Sequence, residues 1–296
     1  MSTQRDPFPL MLIRALRVYQ WTKNFVVLAA LVFAQQILVP GQVLLALQAF
    51  VAFCLAASAT YLLNDILDVE KDRQHPKKCK RPIASGALSI PAAAALAVVL
   101  FVTAMIVAWY LRPAFLGALM AYIVLTISYS FVLKHLILLD VLAVALGFVI
   151  RAMAGAIALD VVFSNWLVVC TLFLALFLAL SKRRHELTLL EGDAAGHRAV
   201  LYHYSVHYLD QLILIVAGGT LITYTIYTCS PEVVEKFHTD KLYMTVPFVL
   251  YGLFRYLFLI HHKTGGGDPS RTLVTDKPLA ATVLLWATTC ALIIYL

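Results

Sequence analysis

Long apolar runs dominate this sequence and limit the folds that it can adopt. They lie at 24–39, 42–66, 91–111, 114–132, 137–159, 163–181, 206–229, 242–260 and 278–296. A helix needs about 20 apolar residues to cross the hydrocarbon core of a bilayer. With 62% hydrophobic and 13% charged residues, the chain also lacks the charged surface of an ordinary soluble domain. We therefore predict an all-α polytopic membrane protein, a single bundle of about nine transmembrane helices that forms one domain over residues 1–296.

The basic residues predict the orientation of the bundle. Most of the 23 Lys and Arg residues lie in the N-terminal segment and in the even-numbered loops, whereas the opposite side holds only Arg112, Lys236 and Lys241. Cytoplasmic loops of membrane proteins collect Lys and Arg. The N-terminus and the even-numbered loops are therefore expected on the cytoplasmic side.

The most informative stretch is SATYLLNDILDVEKDRQHPKKCKRPIASG, residues 58–86. Asp65, Asp68 and Asp72 occur where the second apolar run ends, and their spacing places them on one helical stripe beside Asn64. Carboxylates on one face repel each other, and the helix dipole disfavours negative charge at a helix C-terminus. Such a cluster needs a cation, and its hard oxygen ligands favour Mg²⁺.

A row of basic residues follows the acidic cluster. Because these bases could pair with the acids, a simpler interpretation of the acidic cluster stays open. The row comprises Lys77, Lys78, Lys80 and Arg81. Without a metal, the acidic residues would form a solvated helix end that pairs with these bases. The bases would then only mark the cytoplasmic side of the membrane and attract anionic lipid. Beside a metal, the same bases can neutralise phosphate oxygens. Gly86 is expected to mark the turn toward the third apolar run.

Two further ionisable residues lie in the fifth apolar run. Asp140 and Arg151 are close to three helical turns apart and therefore share one helical face. Ionisable side chains within a span are costly, so they are candidates for function. For Arg151, two interpretations stay open. It either forms a buried ion pair or bonds to backbone carbonyls, or it lines a polar cavity.

The sixth apolar run continues into the basic segment SKRRHELTLLEGD, which begins at Ser181. Lys182 and Arg183 can pair locally with Glu186, and cations at a helix C-terminus complement its dipole. A second basic cluster on the same side of the membrane as the carboxylates also suits a polyanionic substrate. We predict active-site loops at about 67–90 and 182–205.

Together these features indicate a reaction in which a diphosphate meets a lipid at the membrane interface. The sequence contains no P-loop, nucleotide-binding glycine motif or Ser-His-Asp arrangement. A transporter or flippase is an alternative, but transporters place their binding residues near mid-membrane, often in related halves. Here the acidic cluster lies at a helix end and no halves are evident in the sequence.

The stretch NDILDVEKD resembles the first Asp-rich motif of the UbiA superfamily of intramembrane prenyltransferases. Within that superfamily, five segments resemble the decaprenyl-phosphate phosphoribosyltransferase branch: QWTKN at 20–24, NDILDVEKDRQHPKKCKRPIASG at 64–86, LKH at 133–135, FVIRAMAG at 148–155 and SKRRHEL at 181–187. The resemblance implies transfer of 5-phosphoribosyl from phosphoribosyl diphosphate to a polyprenyl phosphate, with release of diphosphate, for cell-wall arabinan precursors. It also implies the bacterial cytoplasmic membrane, a homo-oligomer such as a trimer, and no nucleic-acid partner.

The resemblance also assigns roles to individual residues. The Mg²⁺ ligands it implies are Asn64, Asp65, Asp68 and Asp72. The catalytic residues are Asp65, Asp68, Asp72 and Asp140. The substrate-binding residues are Lys23, Asn64, Lys77, Lys80, Arg81, Lys134, Arg151, Lys182 and Arg183.

The sequence departs from the superfamily pattern at the second acidic motif. Elsewhere that motif has two aspartates, whereas here Asp140 is the only carboxylate in its helix until Asp160 at the far end. A second metal with its own full carboxylate set is therefore not expected. An alternative within the superfamily is a prenyltransferase that joins an isoprenoid diphosphate to an aromatic or quinone precursor, because it would share the Mg²⁺ site.

Overall fold

The computed structural model of the protein describes residues 7–76, 78–190, 203–262, 272–273 and 275–296. Its long helices are α3 (Pro40–Leu67), α5 (Ile90–Leu111), α6 (Pro113–Phe131), α7 (Leu139–Leu159), α8 (Asn165–Leu190), α9 (Val206–Cys229), α11 (Val246–His262) and α12 (Lys277–Tyr295). Four shorter helices are α1 (Phe8–Ala15), α2 (Ala29–Phe33), α4 (Val69–Gln74) and α10 (Pro231–Phe237). Short 3₁₀ segments lie at Val18–Leu28, Lys78–Lys80, Leu133–His135 and Lys241–Thr245.

The prediction of about nine membrane-spanning helices agrees with this architecture. Eight helices in the described part of the chain are long and apolar enough to cross a membrane, and Val18–Phe33 forms a shorter apolar helix. The predicted first span, 24–39, is the one that differs most. It begins earlier, at Val18, in 3₁₀ geometry, and it ends at Phe33.

Local sequence explains where several helices begin. Ser89, Ser205 and Asp276 each accept a hydrogen bond from a backbone N–H in the first turn of α5, α9 and α12, respectively. These side chains satisfy donors that have no partner within the helix. Prolines in the first turn of α3, α5 and α12 are also compatible with a helix start, because those positions need no backbone donor. The turn at Gly86, which has a φ of +78°, lies where the sequence predicted it.

The chain divides into two compact units. The first comprises Met1–Leu31, Ile37–Phe131 and Ile150–Val161. In it, α3 packs along α5 and also contacts α6 and the 3₁₀ segment Val18–Leu28. Fully buried alanines lie on both α3 and α5, and small residues let helix backbones approach closely inside a membrane.

The second unit comprises Val32–Gln36, Val132–Val149 and Val162–Leu296. Here α8 packs along α9, and α11 contacts both α9 and α12. The core includes Phe177 and Tyr256, whose ring centroids are 5.3 Å apart. Arg255 lies in α11 and pairs at 2.8 Å with Asp276, the residue that caps α12. This pair therefore connects the two helices and compensates the arginine charge.

A single glycine sets the position of the first apolar segment in the first unit. A Cβ atom at Gly155 would lie 2.0 Å from the backbone oxygen of Val27, a distance that no real side chain tolerates. The segment Val18–Leu28 therefore passes directly against α7 at this glycine. Asn24 and Arg151 each lie about one helical turn from this contact, on the same two elements. The contact thus brings Asn24 beside Arg151.

We expect Gly155→Ala to lower the stability of the protein by about 2 kcal/mol or more, because overpacking against a rigid backbone cannot be relieved by a rotamer change. Thermal unfolding of the purified protein in detergent measures the effect. Gly117→Ala is the matched control, since a Cβ at Gly117 would meet open space. Equal melting temperatures for the two variants would contradict the close approach at Gly155.

Candidate active site

Two of the three predicted aspartates converge at the junction of α3 and α4. Asp65 lies in the last turn of α3 and Asp72 lies in α4, and their residues are 4% and 3% exposed. Asp68 occupies the break between the two helices and is half-buried. The stripe predicted from the spacing is therefore interrupted at its middle member, and Asp65 and Asp72 are the pair that meets.

Guanidinium groups neutralise this buried pair. Arg81 places one nitrogen, Nη1, 3.0 Å from Asp65 Oδ1 and 2.5 Å from Asp72 Oδ2. Arg17 donates a further hydrogen bond through Nη2 to the same Asp65 oxygen. Two buried carboxylates could not lie this close without cations, since their repulsion is poorly screened away from water. The two arginines therefore make the arrangement possible.

The two arginines reach the cluster from opposite directions in the sequence. Arg81 follows the short 3₁₀ turn Lys78–Lys80, and the residues after it, Pro82, Ile83 and Ala84, are buried and hold the loop in place. Arg17 joins α1 to the 3₁₀ segment Val18–Leu28 and has a left-handed backbone, with φ 50° and ψ 47°. Its guanidinium carbon lies 4.8 Å from the centre of the Tyr61 ring. Left-handed backbone is unfavourable for a non-glycine residue, so its surroundings must stabilise it here.

The donor set is chemically suited to a hard divalent cation. Asp65 and Asp72 supply carboxylate oxygens around one shared positive group, and Asn64 and Asp68 lie next to them in the chain. Oxygen ligands of this kind are those that Mg²⁺ prefers. Within the described residues, no three acidic, His or Cys side chains form a metal-holding group. The guanidiniums bond to one oxygen of Asp65 and one oxygen of Asp72. The oxygen ligands of this cluster are therefore chemically suited to Mg²⁺. An arginine nitrogen, Arg81 Nη1, lies between the two carboxylates.

A line of polar contacts continues along α3 away from the carboxylates. Ser58 is buried and accepts a hydrogen bond of 3.1 Å from Trp21 Nε1. One turn away on α3, Cys54 Sγ accepts a hydrogen bond of 3.3 Å from Asn24 Nδ2. Arg151, which is 6% exposed, donates to Asn24 Oδ1 at 2.8 Å and to Tyr122 Oη at 2.9 Å. Arg151 is therefore bonded to an amide and a phenol in the interior of the first unit.

A second buried ion pair lies in the second unit. Asp140, which is fully buried, accepts a hydrogen bond of 2.7 Å from Arg183 Nε and one of 2.9 Å from Tyr204 Oη. Arg183 also contacts Glu186 at 2.6 Å, which confirms the local pairing predicted on this helix. Burial raises the pKa of Tyr204 to about 12, so the phenol keeps its proton and donates a hydrogen bond to the carboxylate.

The Tyr204 hydroxyl also fixes the start of α7. It accepts a hydrogen bond of 2.7 Å from the backbone N–H of Leu138, which has a left-handed φ of 65°. Asp140 follows two residues later, and Arg183 comes from α8. Tyr204 thus orders the backbone that presents Asp140 to Arg183.

The remaining predicted site residues differ in exposure. Lys80 and Lys182 are exposed, whereas Lys23, Asn64 and Lys134 are partly buried. Lys77 lies outside the described residues. Residues 182–190 of the second predicted active-site loop continue α8, and residues 191–202 of that loop also lie outside the described part.

Sequence reasoning missed three residues that complete these clusters, namely Arg17, Tyr122 and Tyr204. Arg17 contacts a carboxylate 48 positions away, and Tyr204 contacts one 64 positions away. No helical spacing links residues so distant in sequence. Arg17 offered one signal, a positive charge beside an apolar run, but that signal equally suits a residue at the membrane interface.

Comparison with known proteins identifies the family. The model of the UbiA prenyltransferase family matches residues 24–275, most of the chain. The chain belongs to the UbiA prenyltransferase family. A UbiA family member with these long apolar helices is a multi-pass membrane protein.

Two curated relatives match nearly the whole chain. The decaprenyl-phosphate phosphoribosyltransferase of Mycolicibacterium smegmatis is 34% identical, over 96% of this chain and 92% of the relative. The decaprenyl-phosphate phosphoribosyltransferase of Corynebacterium glutamicum is also 34% identical, over 96% of this chain and 87% of the relative. Among solved structures, a UbiA homologue from Archaeoglobus fulgidus bound to GPP and Mg²⁺ superposes with a TM-score of 0.72. That match covers 97% of this chain and 100% of the homologue at 16% identity, and it confirms the UbiA fold.

We expect Arg183→Met to destabilise the protein by about 3–5 kcal/mol, because it leaves the buried Asp140 carboxylate without its cation. The double variant Asp140→Leu/Arg183→Met should regain at least half of that loss, since it removes both charges together. Thermal unfolding in detergent measures each variant. Lys182→Met, which removes the exposed neighbouring cation, is the control and should change stability little. A double variant no more stable than Arg183→Met would show that the ion pair is not the source of the effect.

Proposed function

We propose that the protein transfers the 5-phosphoribosyl group of phosphoribosyl diphosphate to a polyprenyl phosphate, such as decaprenyl phosphate, and releases diphosphate. The observation that carries this proposal is the near full-length similarity to two decaprenyl-phosphate phosphoribosyltransferases. The cluster of Asp65, Asp72, Arg17 and Arg81 supports it independently, because it combines the groups needed to bind a metal and a diphosphate. The product would serve as a precursor of cell-wall arabinan.

The metal in this proposal is Mg²⁺, held by Asn64, Asp65, Asp68 and Asp72. Bound there, Mg²⁺ would neutralise negative charge that builds on the diphosphate as it leaves. Arg81 and the neighbouring Lys77 and Lys80 would donate hydrogen bonds to phosphate oxygens.

The reaction needs little acid–base help from the protein. A lipid phosphate oxygen is ionised near neutral pH, so it can attack the anomeric carbon of the ribose directly. The new bond joins that oxygen to the anomeric carbon, and the bond to diphosphate breaks with its electron pair moving to the diphosphate oxygen. No proton has to be removed from the acceptor. The main task of the protein is to bring two anions together, and basic side chains do so by neutralisation and positioning.

Further residues complete the proposed binding roles. We assign substrate binding also to Lys23, Lys134, Arg151, Lys182 and Arg183, and we assign Asp140 to the catalytic set. Arg151 and Arg183 are buried and already bonded to Asn24, Tyr122, Asp140 and Glu186, so a substrate would have to compete with these contacts.

The location proposed for this reaction is the bacterial cytoplasmic membrane. The positive-inside distribution of Lys and Arg supports a cytoplasmic N-terminus and a cytoplasmic active site, where a soluble sugar diphosphate is available. A homo-oligomer, such as a trimer, is proposed from the family resemblance.

We expect membranes that contain the protein to convert labelled phosphoribosyl diphosphate and decaprenyl phosphate into a labelled lipid in the presence of Mg²⁺. Asp65→Asn should reduce the rate roughly 100-fold or more, because it removes a negative charge that would hold the metal and, through the metal, the diphosphate. Glu70→Gln is the matched control, since Glu70 is an exposed acid in the same segment and pairs with Arg73. Thin-layer separation of extracted lipids measures the product.

The same assay separates the proposed reaction from aromatic prenyl transfer. A parallel reaction offers geranyl diphosphate and a hydroxybenzoate acceptor in place of the sugar donor and lipid phosphate. Product from that pair, with no lipid-linked label from phosphoribosyl diphosphate, would reject the proposed function.

A further inference from the structure

Asp65 is the most heavily neutralised carboxylate in the candidate site. One of its oxygens, Oδ1, accepts hydrogen bonds from both Arg17 and Arg81, and Arg81 also bridges to Asp72. All these groups lie in the first unit. Positive charge therefore occupies the position between the two carboxylates.

A divalent cation cannot simply be added to this arrangement. At either oxygen of Asp65 it would lie beside two guanidiniums, and like charges repel strongly in a site where Asp65 and Asp72 are almost fully buried. Metal binding at Asp65 is therefore costly unless at least one arginine releases this carboxylate. The released guanidinium then needs another acceptor, because a partly buried charge without a partner is costly.

Arg17 is the arginine best placed to make this exchange. Arg17 bonds to Asp65, whereas Arg81 bonds to both Asp65 and Asp72. Its backbone is held in the left-handed region and its guanidinium lies over the Tyr61 ring, so its side chain is confined near the site. A diphosphate is a suitable new acceptor, since guanidinium binds phosphate oxygens in a planar fork.

We propose that Arg17 competes with the divalent cation for Asp65 and moves to the diphosphate of the donor when the donor binds. This inference rests on the proposed function and adds a role for a residue that the sequence motifs do not assign. Cation and diphosphate then bind cooperatively, because each removes an obstacle to the other. By linkage, the cation strengthens diphosphate binding by the same factor as diphosphate strengthens cation binding.

The test measures Mn²⁺ binding to the purified protein in detergent, without any diphosphate, from the electron paramagnetic resonance signal of free Mn²⁺. Arg17→Asn removes the charge while keeping a residue that tolerates left-handed backbone. It should bind Mn²⁺ roughly 10-fold more tightly than the wild type, within the usual range of coupling between sites. Arg73→Asn is the matched control, since it removes the charge of an exposed arginine in α4, the helix that carries Asp72, and this arginine pairs with Glu70.

A second measurement keeps the inference falsifiable if Arg17→Asn unfolds. Inorganic pyrophosphate should strengthen Mn²⁺ binding to the wild type at least about 10-fold after correction for the soluble Mn²⁺–pyrophosphate complex. In Arg17→Lys, which keeps the charge but loses the planar fork, that enhancement should shrink several-fold.

The outcomes separate this inference from the proposed function. Tighter Mn²⁺ binding in Arg17→Asn but not in Arg73→Asn supports the competition. Equal or weaker Mn²⁺ binding in a folded Arg17→Asn, with binding lost in Asp65→Asn, overturns the competition and leaves the metal site intact. Wild-type protein that binds no Mn²⁺ with or without pyrophosphate overturns both proposals.

Discussion

The buried contact between carboxylates and guanidiniums at the end of α3 is the interaction on which the rest of the site depends. Asp65 and Asp72 are acidic, buried and adjacent, and such a pair is stable only when cations neutralise it. Arg81 neutralises both carboxylates and Arg17 neutralises one. The loop after α4 and the turn before the first apolar segment are thereby fixed against the same point of α3. The ion pairs of Asp65 and Asp72 thus hold together the end of α3, the loop after α4 and the turn before the first apolar segment.

The same physical constraint connects the fold with the proposed chemistry. A site that collects buried negative charge binds cations, and a site that collects guanidiniums binds phosphate. Here the two kinds of group neutralise each other, and in the proposed reaction a metal and a diphosphate would take their places. Because the buried charges balance, the carboxylates and the guanidiniums can lie together in the interior of the protein.

The sequence predicted the helices well, because the signal for a membrane span is the length of an apolar run. The second apolar run, 42–66, corresponds to α3, Pro40–Leu67, and the seventh, 206–229, is reproduced by α9, Val206–Cys229. The first run was predicted less well. Its start depends on the left-handed backbone at Arg17 and its position depends on the contact between Gly155 and Val27, and neither is visible as a local pattern.

Within the candidate site, spacing predicted the acidic cluster but not the partners of each acid. Asp65 and Asp72 are seven residues apart, and that spacing brings them together across the break at Asp68. Arg81 lies close enough in sequence to be expected near them. Arg17 and Tyr204 could not be predicted, because their contacts with Asp65 and Asp140 depend on how distant helices pack.

In the proposed reaction, Asp65 and Asp72 hold a divalent cation together with the diphosphate of the donor. The decisive experiment is a crystal structure of the protein with Mn²⁺ and phosphoribosyl diphosphate, with the metal located by its anomalous scattering. We expect a Mn²⁺ peak in contact with the oxygens of Asp65 and Asp72, with Arg17 turned from Asp65 to a phosphate oxygen. A peak elsewhere in the protein, with both arginines still bound to Asp65, would contradict this proposal.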